Sequence, residues 1–301
     1  MKVLVLLGGD SPEREVSLRS GEAVSDALRS NGHTVFEYDP NQGYKGLDEF
    51  IDKVDVVLPI LHGKGGEDGE VQKELEARNF KFLGADAKAS RLCFDKVALK
   101  EMLNKLSILT PKSEVVTKDK FEGSSIKAAG KYVLKPIEGG STIDAFIANG
   151  STDHVDTSIF DKYPQMLLEE LIEGNEITVP VLGTKALPVI EIIPPAGEDF
   201  DYDNKYNGAT QEICPPVNVA KELQKEAQAI AEQLHIAAGV KHLSRTDIIV
   251  DKTGKLWVLE INTIPGLTDQ SLFPKSALAA GISFAQLVEQ LTEMGINRSV
   301  R

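Results

Sequence analysis

Cysteine is nearly missing from this 301-residue chain: Cys93 and Cys214 lie far apart and form no CxxC pair. That excludes a disulfide framework and a cysteine-rich metal site, and it fits a reducing compartment. Basic residues are also in short supply, with 33 Lys and Arg against 46 Asp and Glu for a formal charge of -13. Nucleic-acid binding normally needs a basic footprint, so a nucleic-acid partner is not expected and an anionic ligand has to be held locally. No apolar run reaches the length of a membrane span. The opening MKVLVLL is too short for the apolar part of a secretion signal and lacks a cleavage site, so a cytoplasmic protein away from membranes is expected. Internal repeats and low-complexity tracts are absent too. What remains is a soluble globular composition, 42% hydrophobic and 26% charged, in a chain long enough for two or three domains.

Taken in order, residues 2–7 are a short apolar run ending in Gly8-Gly9, and Val16, Ala23, Val24, Ala27 and Leu28 then recur at helical spacing. Strand, glycine turn and helix open an α/β unit. GGDSPE lacks the GxGxxG spacing of a dinucleotide fold, so it reads as a structural turn or a substrate-facing loop. Strands are predicted at Val35 to Tyr38 and Val54 to Ile60, giving a small parallel sheet. The second runs into LHGKGGEDGEVQ, where four glycines surround His62, Glu67 and Asp68. Ligands of open α/β sheets bind beyond such strand ends. A bland reading stands beside it: His62 as a loop histidine, and Glu67 and Asp68 as caps of a helix over 69–78.

From Ala89 a helical stripe carries Leu92, Cys93, Lys96, Leu99, Met102 and Leu103, and Thr110-Pro111 ends it. Strands follow at Lys131 to Pro136 and Met166 to Gly174. Between them lies GGSTIDAF, a glycine turn able to close backbone N–H groups over phosphate, with Lys135 just before it. The stretch Pro194 to Pro216 has no periodicity but contains Phe200, Tyr202 and Tyr206, which suits a functional lid better than a disordered linker. Helices are predicted at 220–237, 272–280 and 284–294.

The most informative stretch is RTDIIVDKTGKLWVLEINTIPGLTDQSL, Arg245 to Leu272. It reads as two strands joined by the DKTG turn. Alternation by two puts Arg245 with Asp247, and Glu260 with Asn262, so that one cation, two carboxylates and an amide converge. Such hard oxygen donors suit Mg²⁺ when a polyphosphate completes the shell. An isolated hairpin with solvated, mutually neutralised charges is the competing reading, weakened by the lysines, the glycine turns and the lid.

HGKGGEDGEVQ and RTDIIVDKTGKLWVLEINTIPG resemble the two signature stretches of the D-alanine:D-alanine ligase family, within the ATP-grasp superfamily, and the likeness covers essentially the whole chain. The resemblance implies an α/β, three-domain ATP-grasp fold. Residues 1–88 would be a Rossmann-like domain binding the first D-alanine, 89–175 the central nucleotide-binding domain, and 176–301 a C-terminal domain with metal ligands, lid and second D-alanine site. It also implies cytoplasmic, ADP-forming ligation of two D-alanine molecules through a D-alanyl phosphate, for peptidoglycan precursor synthesis and cell-wall biogenesis. The implied cofactors are ATP and two Mg²⁺ or Mn²⁺, with K⁺ activation left open, and the implied partner is a second copy of the chain.

The same resemblance distributes roles. Lys96 and Lys135 would hold ATP phosphates beneath a loop of Glu138, Gly140, Ser141 and Thr142. Glu169, Glu170, Leu171 and Ile172 would read adenine, Glu176 would bind ribose, and Asp247, Glu260 and Asn262 would hold the metals. Glu13 would bind the first ammonium, with Ser141 and Tyr206 completing its hydrogen-bonded set, and His62 would lie beside that substrate. Arg245 and the N–H of Gly266 would form the oxyanion site, and Ser271 and Leu272 would receive the second carboxylate. Lys205-Tyr206 matches the form expected for D-alanine as second substrate rather than D-serine or D-lactate. Departures from the family pattern are Lys73, Thr246 and Gln270, together with Ile143 and Asp144, which replace a usual glycine and methionine in the phosphate loop. They leave a ligase for D-serine or D-lactate, or a catalytically silent nucleotide-binding relative, as alternatives.

Overall fold

The computed structural model describes residues 1–140, 143–150, 153, 155–195 and 210–299. Three sheets organise the chain. The first is parallel, in the order β2-β1-β3, from β1 (Lys2–Leu6), β2 (Thr34–Tyr38) and β3 (Val56–Pro59). In β1 and β3 the runs are almost wholly apolar and buried because both faces are covered, while the edge strand β2 leaves Thr34 and Glu37 exposed. One face packs under α1 (Arg14–Ser30), and the other packs against α2 (Glu70–Ala77) through Leu4, Leu6, Val71 and Leu75.

The predicted stripe after Ala89 folds as two helices, α3 (Ala87–Phe94) and α4 (Lys96–Lys105). Asp95 makes the break: it takes an extended backbone, and its carboxylate accepts from the N–H groups of Val97 and Ala98 at 3.0 and 3.1 Å. An N-cap thereby interrupts a continuous apolar stripe.

The second sheet is antiparallel, ordered β4-β7-β5-β6 from β4 (Ser113–Val116), β5 (Tyr132–Pro136), β6 (Phe146–Ala148) and β7 (Met166–Glu170). Short helices α5 (Lys118–Glu122), α6 (Ser125–Ala128) and α7 (Ile159–Lys162) complete it. Tyr132, Leu134, Met166 and Leu168 fill the core on one face. Strand alternation therefore turns Lys135 and Glu169 to the other face.

The third sheet runs β11-β10-β8-β12-β13, with β9 (Lys185–Ala186) attached to β8. Its members are β8 (Gly174–Leu182), β10 (Ile190–Ile193), β11 (Gln211–Ile213), β12 (Leu243–Asp251) and β13 (Leu256–Asn262), backed by α8 (Lys221–Ala237). The apolar residues of β8, β12 and β13 share a core with α8 and with Leu99 and Leu103 of α4. Two helices end the chain, α9 (Leu272–Ala279) and α10 (Phe284–Ile296). The Ser283/Gln286 capping box starts α10, whose Leu287, Val288 and Leu291 return to the first sheet and pack with Val3, Val5 and Val56.

Candidate functional site

The hairpin β12–β13 supplies the centre. Arg245 pairs with Asn262 and Asp247 with Glu260, but the register slips between Asp247 and Ile248, where the next partner is Val258. Leu259 is thus the extra residue of a β-bulge. Simple alternation by two would leave Glu260 and Asn262 on the same face as Leu256 and Val258, which are core residues. The bulge turns them over to meet Arg245 and Asp247. Its sequence signal is the switch in apolar parity from Leu256 and Val258 to Leu259 and Ile261, which period-two reading passes over.

Arg245 grips Asp247 twice, Nε to Oδ1 at 3.0 Å and Nη2 to Oδ2 at 2.9 Å. The fully buried Thr178, cross-strand on β8, donates its hydroxyl to Asp247 Oδ1 at 2.5 Å. Burial works against the Arg245 charge, yet Asp247, joined by Glu260 and Glu67, raises its pKa above the ordinary guanidinium value. The donor set Asp247, Glu260 and Asn262 fits a hard divalent cation chemically, with phosphate oxygens needed to complete a shell. Asn262 Oδ1 also accepts from Ile264 N–H at 2.8 Å.

Two glycine turns meet above the hairpin. In HGKGGEDG, Gly63, Gly65 and Gly69 are all left-handed, and a side chain at Gly66 would come within 2.6 Å of Leu61 backbone. Asp68 serves the turn, accepting from the N–H groups of Gly65 and Glu70, both at 3.0 Å. Glu67 accepts from Gly63 N–H at 2.7 Å but is buried, and burial together with the nearby Glu13 charge raises its pKa well above the usual carboxylate range. Glu13 sits where the turns converge: a side chain at Gly63 would lie 2.6 Å from its Oε2, and one at Gly140 would lie 3.4 Å away. Ser11 joins the two segments, accepting from Glu13 N–H at 3.2 Å and donating to His62 O at 2.7 Å. His62 is 5% exposed, and burial, with the Arg245 charge, lowers its pKa to about 4. Its Nε2 is buried and has no hydrogen-bond partner among the described residues.

Helix α4 delivers Lys96 and, one turn later, Lys100 on the same face. Lys96 Nζ donates to Gly139 O at 2.5 Å. Burial lowers its pKa, with Lys135 acting in the same direction and Glu260 opposing. The Glu169 carboxylate, 2% exposed, lies 3.1 Å from Lys100 and 2.5 Å from Lys135. Burial alone would raise the Glu169 pKa; Lys135 and Lys100 hold it below the ordinary value. Glu169 therefore meets lysines with its side chain. Glu138 pairs with Arg91 at 2.5 Å, and Glu170 accepts from Lys112 N–H at 3.0 Å. Leu171 donates its N–H to Lys131 O at 3.3 Å, while Ile172 follows the end of β7 and Glu176 lies on β8.

Gly266 and Ser271 are neighbours, since a side chain at Gly266 would come within 2.8 Å of Ser271 Oγ. Ser271 and Leu272 start α9, where unpaired backbone N–H groups favour an anion. A cavity of about 770 Å³ joins Glu13, His62, Lys96, Arg245, Glu260 and Ser271. Ser141, Thr142, Lys205 and Tyr206 lie outside the described residues, as does most of the expected lid. In the GGSTIDAF turn, among the described residues, Gly139 and Asp144 take positive φ, 134° and 56°, and Ile143 does not. Asp144 turns to Lys162 at 2.6 Å and to the Tyr163 hydroxyl at 2.7 Å. Cys93 lines the cavity with its thiol pushed up by burial to about 12, which leaves it inert.

Sequence reading missed Lys100, Thr178 and Ser11. Lys100 carried a signal, its i,i+4 spacing from Lys96; Thr178 and Ser11 have roles set by tertiary neighbours alone.

Residues 103–293 match the family model described as "D-ala D-ala ligase C-terminus". The D-alanine--D-alanine ligase of Pseudoalteromonas translucida is 38% identical over 297 residues, covering 97% of this chain and 96% of the relative. Among solved structures, the D-alanine--D-alanine ligase of Bacillus anthracis complexed with ATP superposes with a TM-score of 0.83 at 30% identity, covering 98% of this chain and 97% of the other. A D-Ala:D-Ser ligase from Enterococcus faecalis gives a TM-score of 0.80 at 27% identity, covering 98% and 99%.

Proposed function

We infer that this chain, which belongs to the D-alanine–D-alanine ligase family, joins two D-alanine molecules into D-alanyl-D-alanine as ATP becomes ADP and phosphate. One observation carries the reading: Arg245, Glu260 and Asn262 line a cavity that also holds Glu13, His62 and Lys96, with Asp247 paired to Arg245 beside it. Phosphoryl-transfer groups and amino-acid-binding groups thus share one space.

The assigned roles follow from charge and position. Glu13 meets the ammonium of the first D-alanine, beside His62, and so presents that substrate's carboxylate towards the nucleotide. Lys96 and Lys135 offset the phosphate charge that would repel it; Gly140 and the adjoining Ser141 and Thr142 cover the phosphates. Glu169, Glu170, Leu171 and Ile172 take adenine, and Glu176 takes ribose. A carboxylate oxygen attacks the γ-phosphorus, the bond to ADP breaks, and a D-alanyl phosphate results. Asp247, Glu260 and Asn262 would hold Mg²⁺ or Mn²⁺, which when bound neutralises phosphate charge and aligns the leaving group. The second D-alanine, its carboxylate at Ser271 and Leu272, attacks the acyl carbon with its deprotonated amine. Arg245 and the N–H of Gly266 stabilise the oxyanion, and phosphate departs. Tyr206 and Lys205, on the proposed lid, would exclude the water that destroys an acyl phosphate.

The domain division at 88/89 and 175/176, a cytoplasmic location and a homodimer formed through the first domain accompany this reading, and rest on family likeness together with the three sheets. The test is phosphate release from Mg-ATP with and without D-alanine, comparing D-alanine, D-serine and D-lactate as acceptors. Release that requires D-alanine, with D-alanine preferred as acceptor, is expected; nucleotide binding without turnover would overturn it.

A further inference from the structure

Two lysines face one carboxylate at the back of the nucleotide site. Glu169 is 2% exposed, with Lys100 Nζ 3.1 Å from Oε2 and Lys135 Nζ 2.5 Å from Oε1. One buried carboxylate needs one counter-charge, so the second lysine calls for a reason.

The lysines are held differently. Lys100 is 5% exposed and, besides its ion pair with Glu169, donates to Thr110 Oγ1 at 2.8 Å and Pro111 O at 2.9 Å. It sits on α4, in a position with no freedom left. Lys135 has Glu169 as its one ion-pair partner among the described residues and projects from the site-facing side of β5. Were Glu169 paired with Lys135 alone, moving that ammonium to a phosphate would strand a buried carboxylate, a strongly unfavourable exchange. With Lys100 fixed on the other oxygen, Lys135 can leave and Glu169 keeps its partner. The three groups carry a net charge of +1, and that excess is mobile on Lys135.

We propose that Lys100 is a positioning residue for nucleotide binding: it retains the negative charge of Glu169 and so frees Lys135 for the ATP phosphates. The inference rests on the ATP site proposed above. Lys100 itself touches neither nucleotide nor substrate.

Calorimetric titration of the full-length protein with Mg-ATP tests it. Lys100→Met should weaken ATP binding by about tenfold or more, because Lys135 becomes the sole partner of Glu169, and Lys100→Arg should recover most of the loss. The decisive comparison uses Glu169→Gln as background, which removes the charge that traps Lys135; urea unfolding of each variant first checks that it is folded, since Lys100 loses its carboxylate there. There, adding Lys100→Met should alter ATP affinity by less than about threefold. A full loss in that background shows Lys100 acting on ATP directly and overturns the proposal, as does wild-type affinity in Lys100→Met alone. Lys135→Ala separates the two levels. If it binds Mg-ATP normally, the site assignment itself is wrong; if it loses binding while Lys100→Met does not, only the present inference fails.

Discussion

Arg245 and Asp247, two residues apart on one strand, form a two-point ion pair with parallel bonds of 3.0 and 2.9 Å. The cation assigned to the acyl-transfer step and a carboxylate assigned to metal binding are thus mutual counter-ions. Disturbing either alters the charge seen by the other.

Replacing Arg245 by alanine is expected to lower turnover by about 10²- to 10³-fold, the usual cost of one oxyanion donor, with a modest change in ATP affinity. It also leaves the Asp247 carboxylate without its guanidinium. Thermal unfolding should therefore show a larger loss without Mg²⁺ than with it. Near-normal turnover would remove Arg245 from the chemistry.

Gly266→Ala puts a methyl group 2.8 Å from Ser271 Oγ, a hydroxyl already bonded to Thr268 N–H at 3.1 Å and Thr268 Oγ1 at 2.8 Å. The expected result is a KM for the acceptor D-alanine raised about tenfold or more, with the KM for ATP unchanged. Initial rates at varied D-alanine and ATP decide this, and equal effects on both substrates would contradict the assignment of Ser271.

Asp144 pairs with Lys162 and Tyr163 from a left-handed backbone, which Asp tolerates. Asp144→Gly loses a surface ion pair but gains conformational ease, so stability by urea unfolding should change by less than about 1 kcal/mol. Asp144→Val should cost about 1–2 kcal/mol more, since a β-branched residue resists positive φ. Equal stability of the two variants would refute the backbone argument.

His242 accepts from Gly84 N–H at 3.0 Å, and burial, aided by Arg298 and Lys241, lowers its pKa to about 4. The unfolded chain, with histidine near 6.5, binds the proton first as pH falls. Stability from this group is therefore complete above about pH 6.5 and lost between there and pH 4. Glu67, its pKa raised, acts in the opposite sense, so the single-residue difference is the measurement to make. Between pH 7.5 and 5.0, His242→Asn should lose about 2 kcal/mol less than the parent protein, by urea midpoints at each pH. Asn keeps the left-handed backbone, φ 67°, accessible. Matching losses would dismiss His242 as a source of acid sensitivity.

Local chemistry made much of the fold visible in advance. Strands β1 and β3 are almost wholly apolar, the helices at 221–237 and 284–296 are amphipathic, and the β12–β13 hairpin has turn residues at its tip. Within the candidate site, the strand ends and glycine turns named segments that the structure brings to one cavity. Three features escaped, two because they depend on remote partners and one because a local cap overrides the apolar stripe. The bulge at Leu259 is fixed by pairing with β12, and the helix break at Asp95 by a cap that outcompetes a continuous stripe. The pairing of Glu169 with two lysines depends on α4 docking against β5 and β7. Asp144, alarming in sequence beside a phosphate loop, is answered by Lys162, eighteen residues away.

The last helix bears on how the chain matures. Phe284–Ile296 supplies Leu287, Val288 and Leu291 to the core that Val3, Val5 and Val56 begin. During synthesis α1 can cover part of that face early, but the core stays incomplete until residues 284–296 have followed. Glu13 and the HGKGGEDG turn, borne on that first sheet, therefore gain their lasting support among the final events of folding. The end of the cavity that carries Glu13 thus waits on a helix, Phe284–Ile296, translated long after it.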